Sequence, residues 1–348
     1  MSYATLLFGA HHYQNRILAE GYDMHGVALR QLNQALGLPG CHTRDDVLVS
    51  VIIMAMLELH MPSGPRNWLK HMTGLERLLE LRGPGSLTYA SYRTLELYKG
   101  VRHFILIASL RNRAPSIFAQ LRWKAILRTS LSLETSEEQD LQDVLADCSV
   151  LIAASDEVNE MNDACGRTCS EKSRAISDRA VGLRTFLKTW KKRWDADEGN
   201  AHVAMDDLDA FEAGAPSTLW TTYKFRFDSL ARLHMLYNTA LIYVLQVAVI
   251  SELYLLSGSA NATAAQVRIE NNHASIRAAG IEIARSITGY LQHRRMRGET
   301  DFISPIVQWA AITAWQALGG NESEEGRWMM KSLAGNSSYT VAMAAWQV

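Results

Sequence analysis

Apolar residues along this chain recur every three to four positions, the period of helices that bury one face. From Met24 to Leu36 the residues Val27, Leu29, Leu32 and Leu36 fall near one side, and Gly37-Leu-Pro-Gly40 closes the segment. Thr43 is the expected N-cap of the next helix, with Asp45 and Asp46 in its first turn. That helix, VLVSVIIMAMLELH, is apolar on nearly all sides, the pattern of a helix inside a larger helical assembly. Trp68, Met72, Leu75, Leu78, Leu79 and Arg82 then fall at spacings of three and four, with Gly83 placed as the C′ residue and Pro84 barring continuation. Helices are expected at 89–110, after a capping box at Ser136 and Gln139, and at 175–195 with Trp190 and Trp194 inward. Residues 195–216 are polar and read as a loop. One or two helices follow at 219–256, then others at 264–297, 304–319, 322–333 and 339–348. No convincing alternating strand and no fixed-period repeat stands out, so the expected fold is a single large all-α domain of packed helical hairpins over residues 1–348.

Composition agrees. Apolar residues make up 48% of the 348 positions and charged residues 20%, enough for a sizeable core and too apolar for a disordered chain. Lys and Arg number 35 against 36 Asp and Glu. A chain that grips nucleic acid by its overall charge would be markedly basic, so no direct nucleic-acid binding is expected. Cys41, Cys148, Cys165 and Cys169 are too few and scattered for a disulfide scaffold, which points to an intracellular reducing compartment. The first residues lack the basic start of a secretory signal. The stretch 236–256 has the length of a membrane span, but Asn238, Gln246 and Glu252 interrupt it. The cost of an ionisable group in lipid makes it a buried core helix, with no membrane partner.

Catalytic motifs are missing: there is no phosphate loop, dinucleotide fingerprint, nucleophile elbow or His-Glu-x-x-His. Cys165 and Cys169 lack the second ligand pair of a structural zinc site, so neither a metal nor a cofactor is expected. His11 and His12 are neighbours, which a helix splays about 100° apart, and one is expected buried and the other exposed. His60 and His71 flank the Pro-Gly turn. Tyr98, Arg102 and His103 lie on a helix expected to pack against that of Trp68; there, an internal ion pair is the ordinary explanation of a charge. Asp156 is expected at a plain helix end. Tyr223, Phe227, His234 and Tyr237 share roughly one helical face, either a core stripe or the wall of a cavity between helices. The candidate catalytic residues are therefore His71, His103 and His234. The candidate ligand-lining residues are His11, His12, His60, Trp68, Tyr98, Arg102, Tyr223, Phe227 and Tyr237.

WLKHMTGLERLLELRGPGS resembles a segment of the regulatory, or middle homology, region of fungal zinc-cluster transcription factors, through Trp68, His71, Gly74, Leu78, Leu79, Arg82, Gly83 and Pro84. Other stretches are similar in order: ALRQLNQAL, RDDVLVSVIIMAMLELH, the segment carrying Arg102, Arg111, Pro115, Phe118 and Trp123, LQDVLADCSVLIAASDEV to Asp156, and the C-terminal helices. The resemblance implies an all-helical regulatory region that follows a zinc-cluster DNA-binding domain, sets activity and dimer state, and in some cases senses metabolites. This chain has no six-cysteine cluster, basic linker or dimerisation heptads. It is expected to be either a fragment of a longer factor or a freestanding protein that kept the helical body.

The leading expectation is a regulatory, ligand-sensing domain without its own DNA-binding module. It would be nuclear, bind a small apolar or aromatic metabolite, and pair as a homodimer or with a partner transcription factor. The first alternative is a repurposed cytoplasmic enzyme of secondary metabolism, a cofactor-independent cyclase, isomerase or dehydratase built from a shaped cavity and one or two acid/base groups. The second is a protein-interaction scaffold, marked by an exposed apolar patch.

Overall fold

The computed structural model describes residues 1–61, 66–87, 92–128, 134–161, 166–256, 262–298 and 304–333. Helices α1 (Ser2–His11) and α2 (Asn15–Leu36) form an N-terminal hairpin. They are followed by α3 (Asp45–His60), α4 (Asn67–Arg82), α5 (Tyr92–Arg111), α6 (Leu121–Leu127), α7 (Ser136–Met161) and α8 (Gly166–Asp195). Strands β1 (His202–Asp206) and β2 (Thr221–Phe225) flank the short α9 (Leu208–Glu212). The last elements are α10 (Asp228–Leu256), α11 (Ala262–Met296), α12 (Pro305–Ala317) and α13 (Glu324–Leu333). The protein is all-α, one packed helical domain with a single two-stranded sheet among the described residues.

Two cores meet on α10. Leu233, Leu236, Tyr237, Ala240, Val244 and Val247 face the larger core, built with α3–α8. Ala231, Met235, Ile242, Leu245 and Val249 face the smaller one, shared with β2, α11, α12 and α13. A helix clamped between two cores needs apolar residues on nearly every side, which explains its membrane-like composition. Asp228–Tyr254 is long and apolar enough to cross a membrane, yet 72% of its most apolar window is buried inside the protein.

Several helix ends are local chemistry. Gly83 ends α4 at φ 72°, a left-handed angle that a side chain would strain, and its N–H returns to the Leu79 carbonyl. The cap of α7 lies one residue before the expected box: the Glu138 amide donates to Thr135 Oγ1 at 3.2 Å. Arg44 rather than Thr43 precedes α3, with no side-chain cap. Val49 and Ile53 leave one side of α3 exposed, and on α2 only Leu32 of the expected stripe is buried. Asp156 lies inside α7, not at its end, gripped by Arg113 through two 2.6 Å hydrogen bonds.

The sheet departs most from the sequence reading. Residues 195–216 carry β1 and α9 rather than a plain loop, and β2 occupies the expected start of a long helix. The strands pair antiparallel from His202↔Phe225 to Asp206↔Thr221. Five-residue strands show too short an alternation to stand out; these are held by packing on α11. A Cβ on Gly289 would lie 2.1 Å from the Tyr223 carbonyl oxygen, so only glycine lets β2 lie this close. Cys165, His60's side chain, Cys169's side chain and the expected final helix at 339–348 lie outside what is described.

Candidate functional site

A cleft of about 230 Å³ opens where four elements converge. The start of α7 brings Thr135, Glu137 and Glu138, and the end of α8 brings Trp194, with Asp197 and Asn200 just beyond. The first turns of α10 bring Ser229, Leu230, Arg232, Leu233 and Leu236, and α12 contributes Ile306. Spacing explains the α10 wall: 229, 233 and 236 are one and two turns apart, and Arg232 is an exposed residue beside them. The floor is apolar and aromatic. Trp194 stacks on Trp190 at 5.2 Å, and Trp190 stacks on Tyr237 at 5.2 Å. Trp190 Nε1 donates to the Glu137 carbonyl at 3.2 Å, fixing the stack against α7. The rim is acidic, with exposed Glu137 and Asp197, and half-buried Glu138 also lines the cleft with Arg232.

Behind the rim lies a chain of buried charge. Burial pushes the Glu138 carboxyl up, against the pull of Arg232, Gln142 and Arg102. Gln142 donates to Glu134 at 2.9 Å, and burial raises Glu134 to about 7 despite nearby Arg102. Fully buried Arg102 is ion-paired with Asp143. Asp143 also accepts from Arg128 at 2.9 and 2.6 Å, and Arg128 reaches Asp140 at 2.9 Å. His103, mostly buried and beside Arg232, is pushed down to about 4 by burial first and that cation second. A ligand seated on the Trp194 floor would thus meet Glu138, a carboxyl that burial holds above its ordinary range.

A second constellation is closed. Tyr223 donates to Glu282 at 2.7 Å, and Arg285 donates to Tyr223 at 3.1 Å. The Ser286 hydroxyl donates to the Glu282 carbonyl at 2.8 Å, so its oxygen accepts from His234 Nδ1 at 3.0 Å. Burial, then His202 and Lys191, pushes His234 down to about 3. Its Nε2 stands 3.7 Å from Glu282, and a neutral ring there makes no ion pair. This network fastens β2 to α10 and α11. A hollow of about 280 Å³ nearby is lined by Asp207, Thr288, Gln292, Arg295 and Trp328 among others. Among the described residues no group of three or more His, Cys, Asp or Glu could hold a metal ion.

The sequence candidates scatter. Trp68 sits edge-on to Phe104 at 6.4 Å, and Tyr98 stacks on Trp123 at 6.2 Å. These two join Arg102 and His103 in the larger core. His71 is half-buried on α4. His11 and His12 are both exposed at the end of α1, where the chain turns towards α2; the expectation that one is buried is not met. Phe227 is 55% exposed in the turn before α10. Tyr223 and His234 meet under the hairpin, while Tyr237 faces α8. None of these residues lines either hollow. Glu138 and Arg232 are not among the residues the sequence singles out. The one sequence signal near Glu138 is a capping box, which the structure places at Thr135 and Glu138, one residue before Ser136 and Gln139.

The architecture has a counterpart among known sequences. A family model described as the fungal specific transcription factor domain matches residues 1–253. The chain belongs to this family. The match takes in α1 to α9 and nearly all of α10, and so three of the four walls of the cleft, while α12 lies beyond it. An uncharacterized protein of Emericella nidulans is 30% identical over 118 residues, which cover 34% of this chain and 25% of that protein. The chain therefore spans only part of that relative's length. No solved structure matches. The α4 residues that carry the sequence resemblance serve packing here: Trp68, Leu78 and Leu79 are buried, and Arg82 pairs with Asp45 at 2.6 Å.

Proposed function

We propose that this chain is a regulatory domain of a fungal transcription factor, acting in the nucleus, whose response is set by a small amphipathic metabolite bound in the α7–α8–α10–α12 cleft. Family membership supports the regulatory role. The observation that carries the ligand reading is the cleft, which sets an aromatic and aliphatic floor against a buried carboxyl. At about 230 Å³ it lies below the ~300–1,000 Å³ of drug-sized sites, so the ligand is a small ring compound with a hydrogen-bond donor. The donor would face Glu138 and the ring would lie on Trp194. Binding there would tie together the starts of α7 and α10 and the end of α8, and so bias how the two cores are held relative to each other.

The test is ligand-observed NMR of the whole chain against a library of small aromatic amines, amides and phenols, followed by thermal unfolding with each hit. A hit at one hundred times its Kd would add about 2.7 kcal/mol of stability. Ser229→Trp fills the cleft from an exposed position, and is expected to abolish binding while leaving the unliganded thermal midpoint unchanged. Hits that bind this variant as well as the parent would place the ligand elsewhere. A hit converted to product at sub-stoichiometric protein would replace the regulator with the enzyme.

A further inference from the structure

We propose that the free edge of β1 pairs with β1 of a second copy of this chain, antiparallel and centred on Ala204. Among the described residues β1 pairs with β2 alone. One hydrogen bond shows which backbone groups face outward. The Asp207 amide donates to the Trp220 carbonyl at 2.6 Å, one rung beyond Asp206↔Thr221. Antiparallel ladders alternate between bonded and non-bonded rungs. Met205 and Val203 therefore bond to β2, while Asp206, Ala204 and His202 turn their N–H and C=O groups outward.

A two-fold axis through Ala204 sets those outward groups against each other. Ala204 meets Ala204, His202 meets Asp206 and Asp206 meets His202, three rungs that each exchange both backbone bonds. Centring on Val203 or Met205 leaves only two such rungs. The chosen register also sets an imidazole opposite a carboxylate at both ends, a hydrogen-bonding match that repeats about the axis. On the other face, Val203, 63% exposed, comes opposite Met205, 46% exposed, in the closely spaced non-bonded pair. Leu208 and Phe211, 70% and 54% exposed on α9, lie directly after the strand. Natural edges are blunted by lysine, proline or a bulge. The sequence of β1, His-Val-Ala-Met-Asp, has neither lysine nor proline, and its register with β2 runs without a bulge. An unrelated extended peptide would meet the same edge without the reciprocal His–Asp and Val–Met matches, so the occupant is a second copy.

Sedimentation velocity over a range of concentrations tests this on the whole chain. The parent is expected to run as a dimer that dissociates on dilution. Ala204→Pro removes the central outward N–H and leaves the bonds to β2, which come from Val203 and Met205. The double variant V203E/M205E changes only exposed side chains, sets an acid opposite Lys224 within the hairpin, and sets like charges opposite one another across the axis. Both are expected to be monomers with the parent's circular dichroism and thermal midpoint. A parent that stays monomeric at every concentration, or a dimer that persists in either folded variant, overturns the proposal.

Discussion

Burying a guanidinium is costly, and Arg102 is fully buried with Asp143 as its ion-pair partner. The two ends of that pair are not equivalent. Asp143 holds a second cation, Arg128, through two hydrogen bonds, whereas the Nε and Nη1 of Arg102 have no hydrogen-bond partner among the described residues. Asp143→Ala therefore strands a charge in the core and is expected to cost about 3–5 kcal/mol. Arg102→Met leaves Asp143 paired with Arg128 and fills the space with an apolar chain, so its cost should be well below that. Urea unfolding of both variants decides the point: equal losses, or a larger loss for Arg102→Met, would show that Arg102 is held by something other than Asp143. The aromatic partners of the same hub, Tyr98 on Trp123 and Trp123 edge-on to Phe118, are neutral and should feel these changes only through packing.

The same argument at the scale of elements concerns contacts that no single segment encodes. Gly289→Ala on α11 drives a methyl group into the backbone of β2, and is expected to cost about 1–3 kcal/mol and to lift the hairpin away. Hydrogen exchange should show protection lost at 202–206 and 221–225 but kept on α4 and α5. Gly182→Ala, at an exposed position of α8 with nothing within 4 Å, should instead stabilise that helix by about 0.5–1 kcal/mol. A hairpin as protected in Gly289→Ala as in the parent would mean that β2 is not seated on that glycine. This contact also marks the limit of reading the sequence. Helices were legible because their signals are local: the period of α4 and the stop at Gly83 lie within a few residues of each other. The hairpin was not, because its support comes from a glycine more than sixty residues away. For the same reason Asp143, the partner of Arg102, was invisible forty-one residues on. The cleft was legible only in part. Trp194 was readable as an inward residue, but nothing in α7 or α10 alone shows that Glu138 and Arg232 meet.

Across the whole molecule, buried titratable groups pull stability in opposite directions with pH, and the two pulls can be separated. His103 and His234 are held down to about 4 and about 3 by burial, so between those values and 6.5 the unfolded chain binds more protons than the folded one. Their contribution is full above pH 6.5 and is lost as pH falls, by about 1.4 kcal/mol per unit for each group. His71 and His202 are lowered too and act in the same sense. Glu134 runs the other way. Burial raises it to about 7, so the folded chain holds the extra proton between pH 4.5 and 7, and stability falls as pH rises through that window. Glu76 and Glu138, also raised by burial, add to that side. The opposed groups pull the parent's stability in opposite directions between pH 4.5 and 6.5; below that window these raised carboxyls are protonated in both states while His103 and His234 still respond. Removing one group tilts the balance. His234→Gln should make stability fall more steeply with rising pH than in the parent, and Glu134→Gln should make it rise, each by up to about 1.4 kcal/mol per unit. The readout is a difference in slope, so a fixed offset from lost packing or hydrogen bonds does not disturb it. Urea unfolding free energies for the three proteins from pH 4 to pH 8 supply the slopes. Parallel curves would mean that neither group changes its protonation on unfolding and that both sites are wetter than their burial implies.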